Sequence, residues 1–213
     1  MTEPVRSRFV HRHESREAAF RASRDAIRAA ANAIRAIHRG EVDRARTLIR
    51  ESREQLHRAV AAAGDQPEVL YGGFLQDAAK EYAEAYITAA AVTGEGWPTP
   101  AEVGVDDGSW LHGLAETVGE LRRHCLDRIR HEDLGAAEGA LERMDEILAT
   151  LVTIDVPDAL TRGLRRATDG ARAITERTRG DLTTALAQRR LRAALDAHRQ
   201  TLEVATGQRE PDG

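Results

Sequence analysis

A chain of 213 residues can bury a substantial core, either as one large helical domain or as two small ones. Aromatic residues make up only 4% while Ala, Leu and Arg dominate, which suits closely packed helices better than a sheet. With a formal charge of −4, the molecule as a whole is not an obvious polyanion binder.

Residues 1–12 are polar and expected to be loose. A helical pattern follows from about Glu14 to His38, through Ala18, Phe20, Ile27, Ala31, Ile34 and Ile37, and Gly40 breaks it. Glu41 opens a second helix carrying Val42, Ala45, Leu48, Ile49, Leu56 and Val60, which Gly64-Asp65-Gln66-Pro67 stops. The third begins near Pro67 and continues to Val92, with Gly72-Gly73 as a weak point that allows close packing or a bend. The stretch from Gly94 through Trp97, Pro98 and Pro100 to Gly108 is the longest non-helical candidate. Ser109 is placed to cap a fourth helix from Trp110 to about His131.

A fifth helix covers Leu134 to Leu151, where Leu141, Met144, Ile147, Leu148 and Leu151 recur at helical spacing. Asp158, after Pro157, caps a sixth containing Leu160, Leu164, Ala167, Ala171 and Ile174, which Gly180-Asp181 ends. A last helix starts at Asp181 or Thr183 and passes Leu186, Leu191, Leu195 and Leu202; the tail after Thr206 is too polar to assign. No repeat or low-complexity linker divides the chain. The expectation is an all-α fold, a single-domain antiparallel bundle of about seven helices over 1–213, with a core of about 14–206 and flexible ends. Neither a signal peptide nor a membrane span is legible, so a soluble cytoplasmic protein is expected.

Four glutamates carry the sharpest chemical signal. Glu81 and Glu84 lie three residues apart, and Glu116 and Glu120 four apart. On a helix either spacing puts both side chains on one face. Two such pairs meeting across a bundle would offer hard oxygens to Mg²⁺ or Mn²⁺. Asp77, four before Glu81, is a candidate outer ligand, and Gly113 and Gly119 are candidate points of close helix approach. Glutamate pairs are also common on solvated helix faces. Lys80, four residues before Glu84, offers an exposed ion pair as a simpler use for that glutamate. Spacing alone leaves both readings open.

The other polar groups point less sharply. The chain has 31 basic residues, of which Lys80 is the only lysine. Arginine is the better fork for phosphate and carboxylate, but coding bias explains the preference equally well. Arg122 and Arg123 are candidates for nucleic-acid contact, with interhelical salt bridges as the competing use. Arg165, Arg166, Asp169, Arg172 and Glu176 read as a surface charge lattice. His38, His57, His112, His124 and His131 form no zinc pattern. Cys125 is unique in the chain and reads as a packing residue. Tyr82 and Trp110 are able to stack a base, yet each also belongs to an apolar helical stripe.

The stretch Gly113-Leu114-Ala115-Glu116-Thr117-Val118-Gly119-Glu120-Leu121-Arg122-Arg123 resembles the GL-x-D-L-T-G-E-L-x-R pattern of the translin family. Lys80-Glu81-Tyr82-Ala83-Glu84-Ala85 is similar to that family's Q-E-Y-x-E-A region, with Gln76 displaced. Phe20 through Arg39 and Leu164 through Asp169 also resemble it, so the likeness runs over about residues 14–182, towards the archaeal translin-associated factor X branch.

The resemblance implies an all-helical subunit of closed homo-oligomers, octamers among them. It further implies a metal-dependent endoribonuclease acting on single-stranded or processed RNA, with Mg²⁺ or Mn²⁺ as cofactor. The catalytic and metal residues would then be Glu81, Glu84, Glu116 and Glu120. The mainly RNA- or single-stranded-DNA-binding translin branch lacks the first glutamate pair, so noncatalytic binding is the alternative. Glu116 stands where the catalytic branch usually has Asp, one methylene shorter.

Overall fold

The computed structural model describes residues 2–207, with side chains through residue 203. Every regular element among them is helical: α1 (Glu3–His38), α2 (Val42–Ala63), α3 (Pro67–Leu70), α4 (Gly73–Thr93), α5 (Pro100–Val103), α6 (Asp107–Arg130), α7 (Leu134–Leu151), α8 (Asp158–Thr161) and α9 (Leu164–Gly207). Six are long and three are single turns of 4 residues, which is how the expected seven become nine. Alanine sets the packing distance. Ala26, Ala30 and Ala33 of α1, Ala59 and Ala63 of α2, and Ala78 and Ala85 of α4 are 0% exposed, so α1, α2 and α4 approach closely. On the other side α6 packs against α7 and α9, and the α4–α6 seam joins the two groups.

The fifth helix has the expected bounds, and α2 starts at Val42 with Glu41 in the N-cap position, though its side chain makes no capping bond. Elsewhere the chain differs. Residues 3–12 continue α1 instead of being loose, although residues 2–11 are all exposed. The helix expected from Pro67 to Val92 is broken at Gly72, whose φ −65°, ψ 131° is extended. A Cβ there would lie 2.7 Å from the Phe74 ring and 3.0 Å from the Val69 carbonyl, so the turn is built for glycine.

Asp106, not Ser109, caps α6. Its carboxylate accepts from the Ser109 N–H at 3.1 Å and from the Ser109 hydroxyl at 2.6 Å. Within the long connection, Thr99 and Glu102 form a capping box that starts the α5 turn.

The sixth helix is divided differently from the reading of the sequence. Arg162 and Gly163 adopt φ of 52° and 88°, which ends α8 after one turn, and α9 then runs unbroken through Gly180. A helical glycine costs only about 1 kcal/mol against alanine. Buried Thr178 and Leu182 on either side hold α9 to the bundle. Beyond them residues 187–203 are exposed throughout. No helix among the described residues is long and apolar enough to cross a membrane.

Candidate metal centre

The α4–α6 seam is tight because Gly113 faces Ala83. A Cβ on Gly113 would lie 2.8 Å from Ala83 Cβ and 2.9 Å from the Glu84 nitrogen. Gly119, the other expected close approach, has nothing within 4 Å of a Cβ, so that expectation fails. The seam brings three of the four glutamates together. Carboxylate oxygens of Glu81, Glu84 and Glu116 lie within 4.8 Å of one another, the one group among the described residues that could hold a metal ion.

Around Mg²⁺, bonds of about 2.1 Å leave ligand oxygens roughly 3 to 4.2 Å apart. Small side-chain rotations would bring the three carboxylates to that spacing, and all the donors are hard oxygens. The set fits a divalent cation of this class.

Burial differs sharply within the group. Glu84 is 8% exposed, Glu81 is half-buried and Glu116 is exposed. Burial pushes the Glu84 carboxyl up to about 8, with further contributions from the charges of Glu116, Glu81 and Glu120, partly offset by Lys80. At neutral pH and without a cation, Glu84 therefore holds a proton. Lys80 does not pair with Glu84. Its Nζ lies 2.7 Å from Glu116 and 3.3 Å from Glu81, bridging the two helices.

Glu120 stands outside the group of three and accepts from His38 Nε2 at 2.5 Å. The ring comes from the last turn of α1, and its side chain is only 3% exposed. Among the five histidines considered, His38 is the one bonded to a candidate site residue, a role that sequence reasoning missed. The only signal was its position at the end of an alanine-rich helix, where a closely packed partner was to be expected. Asp77 is exposed and not among the grouped ligands.

The remaining candidates have structural partners. Arg122 bonds Thr178 at 3.0 Å and Asp181 at 2.9 Å, tying α6 to α9, whereas Arg123 is exposed. Tyr82 is 1% exposed and donates to the Val103 carbonyl at 3.1 Å, and the Trp110 indole donates to Pro98 at 3.0 Å. Both rings brace the 94–108 connection. His112 bonds the Thr161 carbonyl and His131 the Asp127 carbonyl. Arg172 pairs with Asp169, and Arg165 with Asp155, as a surface lattice.

An all-helical bundle with an acidic cluster at one helix seam defines a protein of translin/TRAX-like architecture. The structures of AfC3PO, alone and as a complex with duplex RNA, superpose with a TM-score of 0.81 at 32% identity, covering 88% of this chain and 97% of that one. The chain belongs to the C3PO family, among the translin/TRAX-like proteins. Apo-NeC3PO shares the fold, with a TM-score of 0.78 at 17% identity over 86% of this chain and 96% of its own. "Uncharacterized protein MJ0175" of Methanocaldococcus jannaschii is 28% identical over 189 residues, 88% of this chain and 83% of that protein. No family model matches the chain.

Proposed function

We propose that this chain is a divalent-metal-dependent endoribonuclease of the translin-associated factor X-like branch, acting on single-stranded or processed RNA in the cytoplasm. The observation that carries the proposal is the convergence of Glu81, Glu84 and Glu116 within 4.8 Å. Mg²⁺ or Mn²⁺ bound there would lower the pKa of a water and neutralise charge developing on a phosphodiester. Glu81 and Glu116 supply acidic oxygens from the two helices. Glu84, buried and pushed up to about 8, is poised to hold or take up a proton at its carboxyl oxygen. Glu120, held by His38 outside the group of three, is the remaining acidic candidate, and exposed Arg123 is a candidate phosphate contact.

A closed homo-oligomer, such as an octamer, belongs to the same proposal. Leu191 and Leu195 are each 60% exposed on the projecting half of α9, where a second subunit would cover them.

The alternative is an assembly that binds RNA or single-stranded DNA without cutting it. The Lys80 ammonium between Glu81 and Glu116 favours that reading, because it already balances part of the acidic charge. A cleavage assay on unstructured RNA and matched DNA, with and without Mg²⁺ or Mn²⁺, separates the two. Glu81→Gln removes a charge and Glu84→Gln an ionisable ligand carboxyl, both at nearly constant volume, and each should abolish metal-dependent RNA cleavage while the assembly persists. Equal cleavage by wild type and both variants defeats the nuclease reading. Salt-sensitive binding that survives EDTA, without turnover, supports the alternative.

A further inference from the structure

Lys80 is the only lysine among 31 basic residues, and it lies inside the acidic cluster. Its half-buried side chain reaches from α4 across the seam to α6. Nζ is 2.7 Å from Glu116 Oε1 and 3.3 Å from Glu81 Oε1. These carboxylates are two of the three whose oxygens form the candidate cation site. Burial works against the ammonium, yet the hydrogen bonds and charges of Glu116 and Glu81 outweigh it and hold the group above the ordinary lysine value. The cluster thus carries a cation of its own, supplied by the chain.

The residue type matters. An ammonium is a compact point charge on a flexible four-carbon stem, so it sits among oxygens much as a small cation does and swings away when displaced. A guanidinium is a planar fork that locks onto one carboxylate. In a chain that otherwise uses arginine for positive charge, the one lysine stands where a small, displaceable cation is useful. Without it, Glu81, Glu84 and Glu116 would face one another with no paired cation from the described residues in the metal-free protein.

We propose that Lys80 is a tethered counter-cation of the carboxylate cluster, which a divalent ion must displace before it binds. The residue thereby sets the metal concentration at which the site fills. This inference rests on the metal-site reading above and adds regulation to it. A divalent ion needs the same Glu81 and Glu116 carboxylates, and its charge repels the ammonium as well. The two cations therefore exclude each other. Only the fraction of molecules with Lys80 swung out is competent, and the apparent affinity is reduced by that fraction.

The test is isothermal titration of the intact protein with Mn²⁺ at fixed pH, comparing wild type, Lys80→Gln, Lys80→Arg and Glu84→Gln. Lys80→Gln should bind Mn²⁺ about tenfold more tightly than wild type. Lys80→Arg, which keeps the charge, should not. Unchanged or weaker binding by Lys80→Gln overturns the counter-cation role, while Glu84→Gln still loses binding. No saturable Mn²⁺ binding by any protein, or full binding by Glu84→Gln, overturns the metal-site reading itself and this inference with it.

A second measurement uses wild type alone and does not depend on how any variant folds. In protein labelled at lysine, one side-chain signal reports Lys80. Saturating Mg²⁺ should shift it to the position of a solvated lysine, and a signal that stays at its metal-free position overturns the displacement.

Discussion

Gly113 of α6 and Ala83 of α4 touch so closely that a Cβ on the glycine would lie 2.8 Å from the alanine Cβ. The Lys80 carbonyl would be 3.1 Å away and the Glu84 nitrogen 2.9 Å, and two of those three neighbours are backbone atoms that cannot yield locally. This contact holds the helix bearing Glu81 and Glu84 against the helix bearing Glu116. Gly113→Ala should destabilise the protein by roughly 1–3 kcal/mol through overpacking and should weaken Mn²⁺ binding by spreading the carboxylates. Urea unfolding and a Mn²⁺ titration check both effects. A variant with wild-type stability would show that α4 and α6 are not in contact at this point.

Gly119 is the matched control, because it lies on the same helix with nothing within 4 Å of a Cβ. Gly119→Ala should raise stability, by up to about 1 kcal/mol, through helix propensity alone. A loss larger than that would reveal a neighbour that the monomer lacks.

Glu84 gives a pH dependence of defined sign. Its folded value of about 8 lies above the ordinary 4.5. Below 4.5 the folded and unfolded states both hold the proton. Between 4.5 and 8 the unfolded chain releases it while the folded one keeps it, so the stability of metal-free protein falls as pH rises through this window. Above 8 the loss levels off. Glu84→Gln lacks the slope and should be more stable than wild type by on the order of 3 kcal/mol at pH 9. The difference should shrink towards zero at pH 4. Unfolding curves in EDTA across this range measure it, and parallel profiles for the two proteins would contradict the buried, protonated carboxyl.

The helices and the placing of each glutamate pair on one helix face were legible because both rest on short-range periodicity. The meeting of Glu81, Glu84 and Glu116 also needed one close crossing, for which Gly113 and Gly119 were both candidates and only Gly113 serves. What was not legible depended on partners distant in sequence. His38 finds Glu120 across 82 positions, and Lys80 chooses Glu116 over the nearby Glu84 across 36. The failures at element ends have a similar cause. Gly72 reads as a weak point within a helix and Gly180 as a helix end, and the structure reverses both: Gly72 is pinned in an extended turn by Phe74 and Val69, whereas Gly180 has open space and buried anchors on both sides. Asp106 and Ser109 are both good caps, and only the fold shows the first serving the second.

Cys125 is 0% exposed, and its thiol donates to the Ala137 carbonyl at 3.4 Å, joining α6 to α7. Burial pushes it up to about 11, with Arg122 pulling weakly the other way. A thiol reagent at pH 8 should therefore leave the native protein unmodified and react fully once urea unfolds it. Rapid modification of native protein would mean that the α6–α7 contact opens readily.

His38 and Glu120 should be energetically coupled. The ring is 3% exposed, its Nε2 lies 2.5 Å from the carboxylate, and Nδ1 is buried without a hydrogen-bond partner among the described residues. The Glu120 contact is therefore the ring's only polar compensation there, and a hydrogen bond to a charged group contributes about 1.5–3 kcal/mol. In a double-mutant cycle, His38→Ala and Glu120→Ala should each destabilise the protein, and the double variant should lose less than the two losses added together. The coupling should fall in that range, measured by urea unfolding at pH 7.5 in EDTA. Additive losses would show that the two side chains do not meet in solution, leaving Glu120 free to turn towards Glu84 and join the other three carboxylates.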